Sequence, residues 1–239
     1  MTIALCKFFY YNTKLQGHIW WNMKNAVVIG GTSGIGLEVA KMLCKDSANV
    51  CVTGRHNPLV PGLEFLQADF KAEKSPLDLQ AIPSLKEKLC SADILCVSYG
   101  PFVQKPVHLT SAEDWRNLAL LDYALAGMAV SSVLPGMMNR KFGRIVLFGG
   151  TRTESVRSYK TNAPYAAAKT AISVLVKSVS AEYKRYGITC NAILPGFVNG
   201  AKDPSDAVSA LSVAKSALFL IQNEDLNGVL LNVDRGWQP

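Results

Sequence analysis

The stretch Gly30-Gly31-Thr32-Ser33-Gly34-Ile35-Gly36 restricts the fold of this chain more than any other, because of what stands on either side of it. Ahead of it lies the apolar run 26–29. Behind it, Ile35, Val39, Met42 and Leu43 follow the i, i+4, i+7, i+8 spacing of one helix face. A strand that passes at once into a helix needs a tight turn, and glycine also lets the backbone come close to an anion. The N–H groups that open the helix, with the positive end of its dipole, then face that anion. A glycine-rich turn alone is a weak signal, and a merely tight turn is the bland alternative. Set in the first strand–helix unit, it reads as a phosphate-binding turn, with Gly30, Thr32, Ser33, Gly34, Ile35 and Gly36 as candidate contacts. The spacing Gly30-x3-Gly34-x-Gly36 differs from the usual G-x-G-x-x-G dinucleotide pattern.

The remainder of the chain repeats the same alternation. Runs at 26–29, 50–53, 64–67, 94–97, 145–148, 189–193 and 229–233 read as strands, mostly apolar throughout, as strands covered on both faces are. Helical patterns lie between them. Asp203 followed by Pro204 has the form of an N-cap and first turn for a helix running to about residue 222. Strand, helix, strand, repeated, predicts one α/β domain in which a seven-stranded parallel sheet is wrapped by helices on both sides. Residues 23–239 are assigned to that domain. Residues 1–22 stand apart as an extension, either non-functional or an arm that packs on a partner subunit; they contain no apolar run long enough to span a membrane and no clear signal peptide.

Composition narrows the function. Of the 239 residues 49% are hydrophobic and 18% charged, which suits a large buried core and excludes disorder. The net charge of +7 is spread without a basic run, Arg140, Lys141 and Arg144 being the densest cluster; this argues against nucleic acid and suits an anionic cofactor or substrate. Cys6, Cys44, Cys51, Cys90, Cys96 and Cys190 form no C-x-x-C pair and read as small hydrophobes of a reducing, cytoplasmic compartment. His18, His56 and His108 are isolated, so no metal centre is expected.

The end of the second strand bears on which dinucleotide is bound. An acidic side chain there would take the ribose 2′-hydroxyl of NAD. This chain has Thr53-Gly54-Arg55-His56, and the fork of donors on Arg55 suits a 2′-phosphate, so NADP(H) is expected over NAD(H). Asp69 could accept a hydrogen bond from an adenine amino group, or be a plain turn aspartate. Tyr165-Ala166-Ala167-Ala168-Lys169 places a phenol and an ammonium one turn apart on one helix face. A free tyrosine, with a pKa near 10, trades protons poorly at neutral pH, and a nearby ammonium lowers that value. Tyr165 and Lys169 are therefore candidate proton-transfer residues, although Y-x-x-x-K by itself is common by chance.

Taken together, Gly30-x3-Gly34-x-Gly36, Tyr165-x3-Lys169 and Pro195-Gly196-Phe197-Val198 have the order and spacing found in the short-chain dehydrogenase/reductase family. The closing Gly228-Val229-Leu230-Leu231-Asn232-Val233-Asp234 is similar too, so the resemblance runs from about Met23 to the C-terminus. It implies a Rossmann-type doubly wound fold, NAD(P)-dependent chemistry between carbonyls and alcohols, and a homodimer or homotetramer. Tyr165 would be the general acid in reduction and Lys169 its tuner. Asp69, Phe70, Gly100, Tyr165, Lys169, Pro195, Gly196 and Val198 would join the phosphate turn and Arg55 as cofactor contacts.

Three departures from the family qualify this. Asp122 stands where an asparagine is expected, Val97-Ser98-Tyr99-Gly100 replaces an Asn-Asn-Ala-Gly stretch, and Gly150 occupies the position of the serine that polarises the carbonyl. Thr151 is expected to supply the missing hydroxyl, with Thr153 as rival and Arg152 as a remote third. Only residues 199–202 separate the Pro195–Val198 motif from the expected cap at Asp203, which predicts a short lid and an open cleft for a bulky or carrier-presented substrate. The leading expectation is a reductase of ketones or aldehydes. The alternative is an NADP-binding regulatory or scaffold protein of the same fold.

Overall fold

The structure, a computed structural model, describes residues 24–46, 48–70, 79, 82–198 and 207–236. The strands are β1 (Asn25–Ile29), β2 (Asn49–Gly54), β3 (Leu63–Gln67), β4 (Ile94–Val97), β5 (Gly143–Phe148), β6 (Ile188–Pro195) and β7 (Leu230–Val233). The helices are α1 (Gly34–Lys45), α2 (Pro83–Ser91), α3 (Ala112–Leu118), α4 (Leu125–Arg140), α5 (Ala163–Tyr183) and α6 (Ala210–Gln222). One π-helical segment, Ala119–Ala124, joins α3 to α4 without a break. All strands pair in parallel, in the order β3-β2-β1-β4-β5-β6-β7, as the alternating pattern predicts.

Successive residues of the central strands feed opposite faces of the sheet. Val27 and Ile29 of β1, Leu95 and Val97 of β4, and Ile145 and Leu147 of β5 meet α2, α4 and α5. Ala26, Val28, Ile94, Cys96, Val146 and Phe148 meet α1 and α6. Both faces are thus buried, which is the reason these runs carry no polar alternation. The apolar stretch Ala112–Arg140 is long enough to cross a membrane, but half of its most apolar window is buried inside the protein. Burial pushes the thiol of Cys51 up to about 11 and that of Cys96 up to about 12, so both behave as core hydrophobes.

One expectation is corrected. The last helix begins at Ala210, where Ser209 accepts a hydrogen bond from the Ser212 amide at 3.0 Å; residues 207–209 are not helical, and Asp203 and Pro204 lie outside the described residues. The short lid expected at 199–202 lies outside the described residues, as do all of 199–206. The expected extension 1–22 lies outside them as well.

Strand order reverses direction between β1 and β4, which lie side by side while their following helices go to opposite faces. A crevice opens at the carboxyl ends of strands at such a switch point. The turn after β1, the loop after β4 and the loop after β5 all gather there.

Candidate active site

The turn after β1 is built on close backbone approach. Gly30 has a φ of +78°, and a Cβ on Gly36 would collide with the Gly30 carbonyl, so α1 can start this near β1 only with glycine at both places. Ser33 is extended and makes no side-chain cap bond, which leaves the first N–H groups of α1 untaken by a cap. Open space surrounds the Cβ direction of Gly34, and Thr32 packs its side chain across Gly54 at the end of β2. Ile35 is half-buried at the foot of the helix. Donors without a cap beside a cleft suit a phosphate.

Arg55 is exposed just beyond β2, and the Gln67 side-chain amide donates to its carbonyl at 3.5 Å. Burial raises the pKa of the Tyr99 phenol, Asp69 and Asp122 add to the rise, and Arg55 opposes it. Arg55 and Asp69 thus both act on the loop after β4. Phe70 places its side chain in the core, edge-on to Tyr99 with ring centroids 5.2 Å apart, so only its main chain is left for the cleft. At the far wall, the Gly196 amide donates to Val233 at 3.0 Å, Pro195 ends β6, and Val198 packs against the α1/α6 side of the core.

Tyr165 and Lys169 lie in the first turns of α5, which is entered through Asn162 and Pro164. Lys169 is buried, donates to the Phe148 carbonyl at 3.1 Å, and stands 2.9 Å from Oδ1 of Asp122. Its Nζ is 5.7 Å from the centre of the Tyr165 ring. Asp122, 2% exposed, comes from the π-helical segment, whose wider turn re-aims the side chain inward. Gly100 touches this group: a Cβ there would collide with Oδ1 of Asp122 and lie 3.2 Å from the Lys169 amine.

The electrostatics differ from the simple expectation. Burial lifts the Tyr165 phenol above its ordinary pKa; Lys169 pulls it down, and Asp122 pushes it back up. Lys169 does act in the expected direction, but it does not win. Burial works against the Lys169 ammonium, yet Asp122 and then Tyr165 outweigh it and hold the ammonium more firmly than usual. Burial also lifts the Asp122 carboxyl, against the pull of Lys169.

The loop after β5 gives Thr151 a partner from the far end of the chain. Its hydroxyl donates to Oδ2 of Asp234 at 2.6 Å and its amide donates to the Pro195 carbonyl at 3.1 Å. Arg152, in the left-handed region at φ 61°, meets the same carboxylate at 3.3 Å. A buried carboxylate after β7 thus holds Thr151 by its hydroxyl. Thr153 is 1% exposed; its hydroxyl donates to the Gly150 carbonyl at 2.7 Å and accepts from the Gly150 amide at 3.2 Å. The position that faces Tyr165 is Gly150 itself, where a Cβ would lie 3.4 Å from Cε1 of that ring.

Sequence reasoning missed Phe102. Its ring meets Tyr165 edge-on, with centroids 4.9 Å apart, while remaining 51% exposed. The loop that carries it is clasped from two sides, by Gln104 on the Thr161 hydroxyl at 3.4 Å and by Lys105 on Asp114 at 2.7 Å. Its one available signal was a large apolar residue just past a strand end. Asp234 left no signal beyond its place after the last strand.

A family model described as short chain dehydrogenase matches residues 24–205. The chain is 30% identical over 189 residues to a D-beta-hydroxybutyrate dehydrogenase of Rhizobium meliloti, covering 73% of this chain and 71% of the relative. It is 24% identical over 233 residues to the 3-oxoacyl-[acyl-carrier-protein] reductase MabA of Mycobacterium avium, covering 89% of each. Among solved structures, a short chain dehydrogenase/reductase family protein superposes with a TM-score of 0.80 at 25% identity, over 90% of this chain and 97% of the other. The aldohexose dehydrogenase of Thermoplasma acidophilum, at 20% identity, shares the fold with a TM-score of 0.77 over 90% and 94% of the two chains. With the turn, the crevice and the Tyr165–Lys169 geometry on one sheet edge, these matches place the chain in the short-chain dehydrogenase/reductase family of oxidoreductases, which use a nicotinamide cofactor.

Proposed function

We propose that this chain is an NADP(H)-dependent oxidoreductase that interconverts a ketone or aldehyde and an alcohol, with Tyr165 as the general acid of reduction and Lys169 as its electrostatic partner. The observation that carries the reading is the meeting, in one crevice, of an uncapped helix start with a buried lysine 5.7 Å from the centre of a tyrosine ring. The bound nicotinamide supplies hydride. The turn residues Gly30, Thr32, Ser33, Gly34, Ile35 and Gly36 would hold the pyrophosphate. Arg55 would hold the 2′-phosphate, Asp69 with the main chain of Phe70 the adenine, and Gly100, Lys169, Pro195, Gly196 and Val198 the nicotinamide end. Tyr165 positions the carbonyl oxygen and gives it a proton. Phe102 forms an aromatic wall over that point and shields it from water.

The relatives' names put β-hydroxy and 3-oxoacyl compounds, free or carrier-presented, first in a substrate panel. Trp115 and Tyr123, 43% and 40% exposed along the helical stretch from α3 into α4, support a homodimer or homotetramer. The unpaired thiols of the described cysteines support a cytoplasmic setting.

Titrating both cofactors tests the nucleotide. NADPH is expected to bind at least tenfold tighter than NADH, about 1.4 kcal/mol; equal affinities would refute the role of Arg55, and Arg55→Asp should abolish the preference. A carbonyl panel followed by NADPH oxidation tests the chemistry. Tyr165→Phe keeps the ring, so turnover should fall steeply while NADPH affinity barely changes. A second reading, an NADP-binding protein without turnover, is favoured by Gly150 and by the hold of Asp122 on Lys169. It predicts NADPH binding with no carbonyl consumed and no effect of Tyr165→Phe.

A further inference from the structure

A buried ion pair stands behind Tyr165. Asp122 is 2% exposed, its Oδ1 is 2.9 Å from the Lys169 amine, and among the described residues neither of its oxygens makes an aligned hydrogen bond. The carboxylate has no room to leave, because Gly100 closes over Oδ1 so tightly that a methyl group there would collide with it. Its partner has no slack either, since Lys169 also donates to the Phe148 carbonyl. The titratable groups that act on Tyr165 are Lys169 from its own helix and Asp122 from the π-helical segment; Tyr99, from the loop after β4, also feels Asp122. Phe102, the remaining ring against Tyr165, carries no charge.

Whichever of the two groups carries the shared proton, the Asp122–Lys169 pair has no net charge. An asparagine at this position would leave a full positive charge beside the phenol. Making a phenolate next to a neutral pair, in a buried site, is harder than making it next to a bare ammonium.

We propose that Asp122 is a positioning residue that sets the pH range of the acid in this site, by cancelling the charge of Lys169 so that Tyr165 stays a phenol. The proposal rests on the acid–base role given to Tyr165 above. In reduction the carbonyl carbon gains hydride from the nicotinamide cofactor, the O–H bond of Tyr165 breaks, and its proton forms the new alcohol O–H. The phenolate left behind is reprotonated from solvent. In oxidation the phenolate must exist first, to take the alcohol proton as hydride leaves the carbon. A group that disfavours phenolate therefore preserves the acid over a wide pH range and moves the pH limits of both directions upward together.

The test is a spectroscopic titration of tyrosinate on the full chain, with Tyr165→Phe as the reference that identifies the Tyr165 transition. Asp122→Asn keeps the shape and removes the charge, and its Tyr165 midpoint should lie lower than the parent's by about one pH unit or more. With a substrate found in the panel, the alkaline limb of reduction and the acid limb of oxidation should move down together by the same amount. A merely structural aspartate would change neither. If Asp122→Asn does not fold because a lone ammonium is left buried, Asp122→Asn/Lys169→Met removes both charges and is compared with Lys169→Met, whose midpoint should be the higher. Overlapping titrations within the pair that folds overturn the proposal. If Tyr165→Phe turns out fully active, the acid–base reading fails while the titration still reports on Asp122; an inactive Tyr165→Phe with overlapping titrations refutes only the role of Asp122.

Discussion

At Gly150 an added Cβ would rest 3.4 Å from Tyr165 and 3.5 Å from Cγ2 of Thr153, both ordinary contacts, and the glycine is not in the left-handed region. A serine there should fit and aim a hydroxyl at the carbonyl that Tyr165 protonates. Gly150→Ser is expected to raise kcat/KM tenfold or more, about 1.4 kcal/mol of transition-state stabilisation; an unchanged or lower value would mean that substrate itself fills this space. Thr151→Val should do the opposite of what its sequence position suggests. It should leave kcat/KM within a few-fold and lower stability by about 1–3 kcal/mol, since the buried Asp234 carboxylate loses a donor; thermal melts and steady-state kinetics of the one variant separate the two effects. The nearness of Tyr165 and Lys169 and the tightness of the glycine turn were readable because local spacing alone sets them. The partner of Thr151 was not, because it stands 83 positions away, and the sheet brings it back.

Among the elements, α3 carries more than its seven residues suggest. Ser111 and Asp114 cap it reciprocally: the Asp114 amide donates to the serine hydroxyl at 3.1 Å and the Ser111 amide donates to the carboxylate at 3.0 Å. Lys105 binds the same carboxylate and so ties the Phe102 loop to the helix cap. Its hydrogen bond, followed by those from Ser111, holds the Asp114 carboxyl down to about 2, against an ordinary value of 3.8. A depressed carboxyl stabilises the folded state above its unfolded pKa and loses that effect as pH falls through the folded one. The cap and loop should therefore loosen between about pH 4 and pH 2, visible in the Asp114 carboxyl shift by NMR, and salt should weaken the Lys105 contact. Ser111→Ala should lower Tm by roughly 2–4 °C.

Element order was largely legible for the same kind of reason. Strands buried on both faces announce themselves as short apolar runs, and the seven expected runs correspond to β1–β7. The start of α6 misled because Asp203-Pro204 and Ser209 offer equivalent local cap signals, and the helix that packs against α1 and β6 is the one capped by Ser209. The π-helical turn at Asp122 was not legible, because the apolar spacing predicts only an ordinary helix there.

For the molecule as a whole, both the family match, which starts at residue 24, and β1, which starts at Asn25, leave residues 1–22 outside the recognisable domain. A chain beginning at Met23 should fold, melt within a few degrees of the full chain and bind NADPH. A change in oligomer size on size exclusion would instead assign 1–22 to a subunit interface. One sheet also makes distant parts of the molecule depend on each other. Thr151 follows the central strand β5, whereas Asp234, which fastens it, follows the edge strand β7. During synthesis the N-terminal part leaves the ribosome first and begins to fold first. The glycine turn, β1, β4 and β5 can come together while Asp234 is still unmade, so Thr151 waits for the end of the chain before its hydroxyl is fastened. The last strand to be made is thus the one that fastens a loop begun at the centre of the sheet.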